Sequence, residues 1–235
     1  MLVDLNHRSG FVYGRAADAP PPLGARINTL LDDALVAERA GQRPRDYLGA
    51  SRIGEPCARR LVYEVTHTPP DPGKELEGRS LRIFAAGHVF EDLAIRWLRL
   101  AGFDLRTQTR EGGQFGFETA GGRIRGHVDG VIVAGPEVGL AWPVLWEHKA
   151  LKASSWSDTA KKGVRLSKPV YFGQMQIYMA YMGLGSALFT ALNKDSCELY
   201  HEHVPFDPAT AQELSDKAVA VLRAADAGEL LPRIA

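Results

Sequence analysis

Apolar and polar positions along this chain follow two rhythms, one of helical period and one that alternates, and the switches between them lay out its elements. Ile27, Leu30, Leu31, Ala34 and Leu35 form an apolar stripe that predicts a helix from about Ala25 to Gly41. The segment SRIGEPCARRLVYEVTH (51–67) opens with a turn and reads as helical after Pro56, a residue suited to a first helical turn. TPPDPG (68–73) is a loop. Leu76 to Gly102 then reads as one long helix, with Leu81, Phe84, Ala85, Val89, Leu93, Ile95, Trp97 and Leu98 at mostly helical spacing and Gly102 as its stop. Three strand-like segments follow, at 103–109, 113–119 and 123–133, with EGG and AGG as the turns between them. A fourth strand, VLWEHKAL, leads into a polar stretch (152–169), a helix (170–183), two strands near 186–193 and 197–205, and an amphipathic helix opened by Pro208.

Helices, then strands, then a helix and strands again make an α+β fold with a central mixed β-sheet flanked by helices. No internal repeat is visible. Residues 1–23 end in ADAPPP, where successive prolines block regular structure, and are expected to be a flexible N-terminal leader. Residues 24–235 then form a single domain, divided into a helical front (24–75), a core (76–206) and a C-terminal helix (207–235). A chain of 235 residues is long enough for one such domain with a proper core.

Lys+Arg and Asp+Glu both total 28, so any attraction to nucleic acid must come from local patches. Two cysteines, Cys57 and Cys197, cannot build a disulfide framework. No apolar run is long enough to span a membrane, and the N-terminus lacks the basic-then-apolar order of a signal peptide. The expected location is cytoplasmic, in a bacterial cell or a phage-infected host.

The candidate chemistry lies in the third and fourth strands. Asp129 sits in GGRIRGHVDGVIV (121–133), and Glu147-His148-Lys149 lies in the next strand. Two carboxylates on adjacent strands can grip one Mg²⁺, and Lys149 shares a strand face with Glu147. That is the minimal equipment for phosphodiester hydrolysis: a metal to neutralise charge and activate water, and an ammonium to hold that water or the scissile phosphate. Acid-x-Lys triplets also occur on charged strand edges. Two details weigh against that bland reading. Gly126 and Gly130 flank Asp129 and allow close approach of backbone or ligand. Leu145 and Trp146 precede Glu147, so the triplet emerges from a buried strand. Two more elements accompany it. Gly87 and Glu91 stand one above the other on the long helix, making Glu91 available as a third ligand, and Gln174 and Tyr178 form an i,i+4 polar pair on an apolar helix.

In this order, the four elements resemble the PD-(D/E)XK nuclease superfamily, and specifically the RecB-like exonucleases, which include phage recombination exonucleases and CRISPR-associated RecB-like exonucleases. The resemblance runs from roughly Ser51 to Asn193. It implies a restriction-endonuclease-like core. It matches Gly87 and Glu91 to a Gly-x-x-x-(His/Glu) helix, Asp129 to the strand aspartate, Glu147 and Lys149 to (Asp/Glu)-x-Lys, and Gln174 and Tyr178 to Gln-x-x-x-Tyr. SRIGEPCARRLVYE also looks like the front segment of these enzymes. The implied catalytic set is Lys149, Glu147, Asp129, Glu91, Gln174 and Tyr178. Glu91, Asp129, Glu147 and the backbone carbonyl of His148 would hold Mg²⁺ or Mn²⁺, with Gln174 and Tyr178 positioning the scissile strand. Many relatives carry a [4Fe–4S] cluster on four cysteines. Cys57 matches the front one and Cys197 is alone at the back, so no Fe–S cluster is expected and Cys57 reads as a small buried hydrophobe. That departure favours the phage-type or repair exonucleases.

Residues 148–178 hold Lys149, Lys152, Lys161, Lys162, Arg165 and Lys168 against one acid, Asp158, a local surface for DNA phosphates. Arg52, Arg59 and Arg60 form a second cluster that could receive a strand end. His148 points to the opposite strand face from the triplet's acid and lysine. His88 neighbours Gly87, and His201-x-His203 has no acid or cysteine cluster beside it and reads as structural. The leading expectation is an exonuclease on DNA ends. A structure-specific or restriction-type endonuclease and a catalytically silent DNA-binding module are the alternatives. A recombinase, annealing protein or helicase would be a natural partner, and some phage relatives assemble as rings around DNA.

Overall fold

The computed structural model describes residues 21–110 and 112–234. The leader expected at 1–23 therefore lies, through residue 20, outside the described residues. By its own contacts the chain divides into two compact units, the first comprising residues up to Gln42 with Leu76–Leu81, the second Arg43–Glu75 and Arg82 onward.

In the first unit the helix α1 (Leu23–Ala40) forms as the periodicity predicts, yet none of its residues is buried, and Ile27, Leu30 and Leu31 stay exposed. A Cβ on Gly78 would lie 2.4 Å from the Asp32 Cα, so only glycine permits that backbone approach.

The second unit holds the core. Its order is β1 (Leu48–Gly49), a single 3₁₀ turn at Ala50–Arg52, α2 (Ala58–Val65), α3 (Gly78–Leu100, from Arg82 onward), β2 (Leu105–Arg106), β3 (Gly116–Thr119), β4 (Ile124–His127), β5 (Gly130–Ile132), β6 (Val144–Leu151), α4 (Ala153–Ser167), α5 (Pro169–Met182), β7 (Ser186–Asn193), β8 (Leu199–Pro205) and α6 (Pro208–Ala227). A five-stranded sheet runs β2-β5-β6-β7-β8 and a three-stranded one β1-β4-β3. Both are mixed: β6 and β7 are parallel while β5 and β8 pair antiparallel to them, and β1 is parallel to β4 while β3 is antiparallel. Val144 to His148 are all buried, which marks β6 as a strand covered on both faces. Leu145 joins one apolar cluster with Met175 and Phe189, and Trp146 joins a second with Ala94 and Ile132.

The structure corrects several sequence expectations. The single strand expected at 123–133 is two strands in different sheets, β4 and β5, with Val128 and Asp129 as the joint. The Val128 amide bonds the Phe115 carbonyl, after which the chain leaves one sheet for the other. The strand expected at 103–109 shrinks to Leu105–Arg106, with Gln108 and Gln114 joined only by an isolated bridge. The polar stretch 152–169 is mostly helix, α4, interrupted at Gly163, whose φ of 75° and ψ of 164° suit glycine alone. Its polar outer face hid the helical period. Pro56 precedes the Cys57 N-cap instead of entering the first turn of α2, and Cys57 itself is half-buried at that helix end rather than a core hydrophobe. Among the described residues no helix is long and apolar enough to cross a membrane.

Candidate active site

β6 carries the triplet in strict alternation. Glu147 and Lys149 point to the α5 side and His148 to the other. Glu147 is fully buried and Lys149 keeps 23% of its side chain exposed. Lys149 Nζ touches Glu147 Oε1, lies 3.8 Å from Asp129 Oδ2, and donates to the His148 carbonyl at 3.0 Å. The Asp129 carboxylate is fixed from its other side, because Oδ2 accepts the His148 backbone N–H at 2.8 Å. The strand joint thus hands Asp129 to β6 through a main-chain bond. The flanking glycines serve packing instead of a ligand. A Cβ on Gly126 would lie 2.6 Å from both Phe117 Cε1 and Tyr178 Cε1, and one on Gly130 would lie 2.6 Å from Leu105 Cδ1.

From α5, Gln174 Nε2 donates to Glu147 Oε1 at 2.8 Å. Tyr178, one turn on, is buried against Phe117 and interacts with Gln174. Both were expected to meet the scissile strand. Both are instead turned inward, with Gln174 spent on Glu147. From α3, Glu91 comes close enough for Asp129 and Lys149 to shift its carboxyl, and His88 Nδ1 lies 3.7 Å from Glu91 Oε2. A side chain at Gly87, one turn before Glu91, would project into open space.

Electrostatics bind these groups into one unit. Burial pushes the Glu147 carboxyl up, with Asp129 adding to it and Lys149 opposing. Burial works to lower the Lys149 ammonium, and Glu147 and Asp129 together more than reverse it. Burial and then Asp129 raise Glu91. Burial raises the Tyr178 phenol, helped by Glu147. His148, on the far face beside the Trp146 ring, is pushed by burial down to about 4 and is neutral. On that face Trp146 Nε1 donates to Thr190 Oγ1, which also meets His201 Nδ1 at 3.1 Å, so His201 is tied into the sheet.

Two buried side-chain polar atoms among the described residues have no hydrogen-bond partner, Glu147 Oε2 and His148 Nε2. An unpaired buried carboxylate oxygen is costly in a native fold and marks where a cation or donor belongs. Among the described residues, no three His, Cys, Asp or Glu side chains close round a common point, and Lys149 stands between the carboxylates of Glu147 and Asp129.

The basic residues divide in two. Lys152, Lys161, Lys162 and Arg165 are exposed on or next to α4, and Lys168 is half-buried at its end. Part of that charge is already paired: Lys162 with Asp158 at 2.7 Å, Arg165 with Asp207 at 3.4 Å, and Lys168 with Asp158 at 4.0 Å. The front cluster is engaged throughout. Arg52 bonds Glu64 and Glu55, Arg60 lies against the same two acids, and Arg59 Nε donates to the Leu231 carbonyl at 2.5 Å. One residue the sequence reading passed over is Tyr171, whose ring centroid is 5.3 Å from Lys149 Nζ. Its spacing of three from Gln174 was the available signal.

The architecture is α+β, a mixed sheet whose central strand carries the Glu-x-Lys pair and which helices flank. It is shared with the solved structure of an alkaline exonuclease, LHK-Exo from Laribacter hongkongensis, at TM-score 0.55 and 16% identity over 83% of this chain and 93% of that one. A second structure, of LHK-Exo in complex with dAMP, gives TM-score 0.51 and 18% identity over 83% and 93%. No family model and no curated protein matches the chain.

Proposed function

We propose that this protein is a metal-dependent deoxyribonuclease, working as an exonuclease on DNA ends in recombination, repair or phage DNA metabolism. The observation that carries the reading is the Lys149 ammonium held against Glu147 and Asp129, on a buried strand, beside an unpartnered Glu147 oxygen. The shared fold with an exonuclease that has been solved with dAMP supports DNA as the substrate.

In donor chemistry, though not in a closed arrangement of side chains, the set suits a hard divalent cation. Glu91, Asp129, Glu147 and the His148 carbonyl offer only oxygen, which suits Mg²⁺ or Mn²⁺. When bound, such a cation supplies charge neutralisation at the phosphate and a water that is nucleophilic at neutral pH. The chain's own residues do the rest. Lys149 keeps its proton and offers N–H donors to the attacking water or the scissile phosphate. Gln174 pins Glu147 Oε1, leaving Oε2 as the oxygen that is free to bind. The His148 amide pins Asp129 in the same way. Tyr178 and the apolar residues around it keep solvent from the rear of the site. The cations of α4 lie in the segment directly after β6, where they would meet phosphates flanking the cut.

The test is digestion of 5′- and 3′-labelled linear DNA, with closed circular DNA alongside, comparing wild type with Lys149→Ala in Mg²⁺, Mn²⁺ and EDTA. The expected outcome is metal-dependent loss of one end's label, sparing circles, and a drop of roughly 100-fold or more in the variant. Cut circles would move the assignment to an endonuclease. Absence of cleavage by pure wild type would leave a DNA-binding module.

A further inference from the structure

Tyr171, Gln174 and Tyr178 recur at spacings of three and four on α5, so they lie along one helix face. Burial grades along that face. Tyr178 is 2% exposed and Gln174 5%, while Tyr171 is half-buried at the outer end, level with Lys149. Lys149 is therefore bounded on one side by the carboxylates of Glu147 and Asp129 and on another by an aromatic face, its Nζ 5.3 Å from the ring centroid.

We propose that Tyr171 is a positioning residue for Lys149, its ring face holding the ammonium where it can address a phosphate or water. The inference rests on the nuclease reading above. Its physical basis is that a ring attracts an ammonium through its quadrupole without neutralising it and without occupying its N–H donors. A carboxylate holds the same group more tightly but competes for those donors. Were Glu147 and Asp129 to hold a cation, they would hold Lys149 less, and the ring would remain. A lysine stem has four rotatable bonds, so without the ring the ammonium would sample more positions. The quadrupole belongs to the ring, so the hydroxyl is dispensable.

Two measurements separate this proposal from the nuclease reading. The first is steady-state cleavage of linear duplex DNA in Mg²⁺ by wild type, Tyr171→Phe, Tyr171→Leu, Lys149→Ala and the Lys149→Ala/Tyr171→Leu pair. Tyr171→Phe should stay within about twofold of wild type, while Tyr171→Leu should lower kcat by about 3- to 10-fold with KM unchanged. Tyr171→Leu should cost nothing further once Lys149 is gone. The second is a double-mutant cycle of thermal unfolding in EDTA on the same variants, which reads the contact without any cleavage. There the two Tm losses should be non-additive. Wild-type kcat in Tyr171→Leu, equal damage in Tyr171→Phe, or additive Tm losses would each overturn the proposal. A protein that does not cleave but shows the Tm coupling would overturn the nuclease reading while keeping the Lys149–Tyr171 contact.

Discussion

Gln174 donates one side-chain N–H to Glu147 Oε1 at 2.8 Å, and this bond joins the helix α5 to the acid of the Glu-x-Lys pair between two buried side chains. It gives the acid a fixed orientation, with one oxygen satisfied and one not. Replacing Gln174 by Leu, of similar size, removes the donor and leaves Lys149 as the remaining partner of Oε1. The expected cost is about 1–3 kcal/mol of unfolding free energy, read by urea denaturation. Cleavage should fall alongside it. An unchanged midpoint would show that the bond does not form in solution.

Gly126 makes a steric prediction. A methyl group there meets Tyr178 and Phe117 at 2.6 Å each and Ala50 at 3.0 Å. Gly126→Ala should cost about 1–3 kcal/mol through overpacking and should displace Tyr178. Gly87→Ala is the control, since a Cβ there meets nothing within 4 Å and the helix should gain from the exchange. Thermal melts of the pair check the contrast, and equal Tm values would refute it.

Asp207 caps α6. Its carboxylate accepts from the Thr210 amide at 3.1 Å and from the Thr210 hydroxyl at 2.9 Å. These bonds, the backbone one first, hold its pKa below the ordinary aspartate value. A depressed folded-state pKa means stability that is complete above the unfolded value of about 3.9 and is lost as pH falls through the folded one. Asp207→Ala should therefore lower Tm by about 2–4 °C at pH 7, and the difference from wild type should shrink as pH drops below about 4. A gap that stays constant down to pH 2.5 would contradict the ionised cap.

The cations of α4 make an ionic-strength prediction. Lys161 and Lys162 are exposed, and Lys162 is paired with Asp158 at 2.7 Å. The double change Lys161→Gln and Lys162→Gln should weaken DNA binding without sequence preference. It should reduce the slope of log K against log salt by about 1 to 2. Fluorescence anisotropy from 50 to 200 mM salt, in EDTA, measures it. An unaltered slope would place the DNA elsewhere.

The long periodic elements were legible. VLWEHKAL spans the bounds of β6, the α5 limits were read to within one residue, and Pro208 marks the start of α6, although the helix expected through 235 ends at Ala227. Glu147 and Lys149 share a strand face, as strand alternation implies, and Asp129 and Gln174 meet them there. What spacing did not encode was tertiary. RIRGHVDGVIV alternates like one strand, and only the pairing partners of its two halves divide it between two sheets. Gln174 looked like a hand extended to DNA because sequence shows polarity but not direction. Arg52, Arg59 and Arg60 looked like a phosphate receptor because Glu55, Glu64 and the Leu231 carbonyl meet them only after folding.

The strand that carries Glu147 and Lys149 lies inside the sheet, with neighbours hydrogen-bonded on both edges and apolar layers on both faces. Amides in such a strand exchange with deuterium only when the whole domain opens. No sub-global opening can then expose or repair the Glu-x-Lys pair on its own, so its lifetime equals that of the fold. If the protein is the nuclease proposed above, it would have no half-unfolded form that still cuts, and a damaged copy would lose its activity at the same moment that it becomes visible to proteolysis.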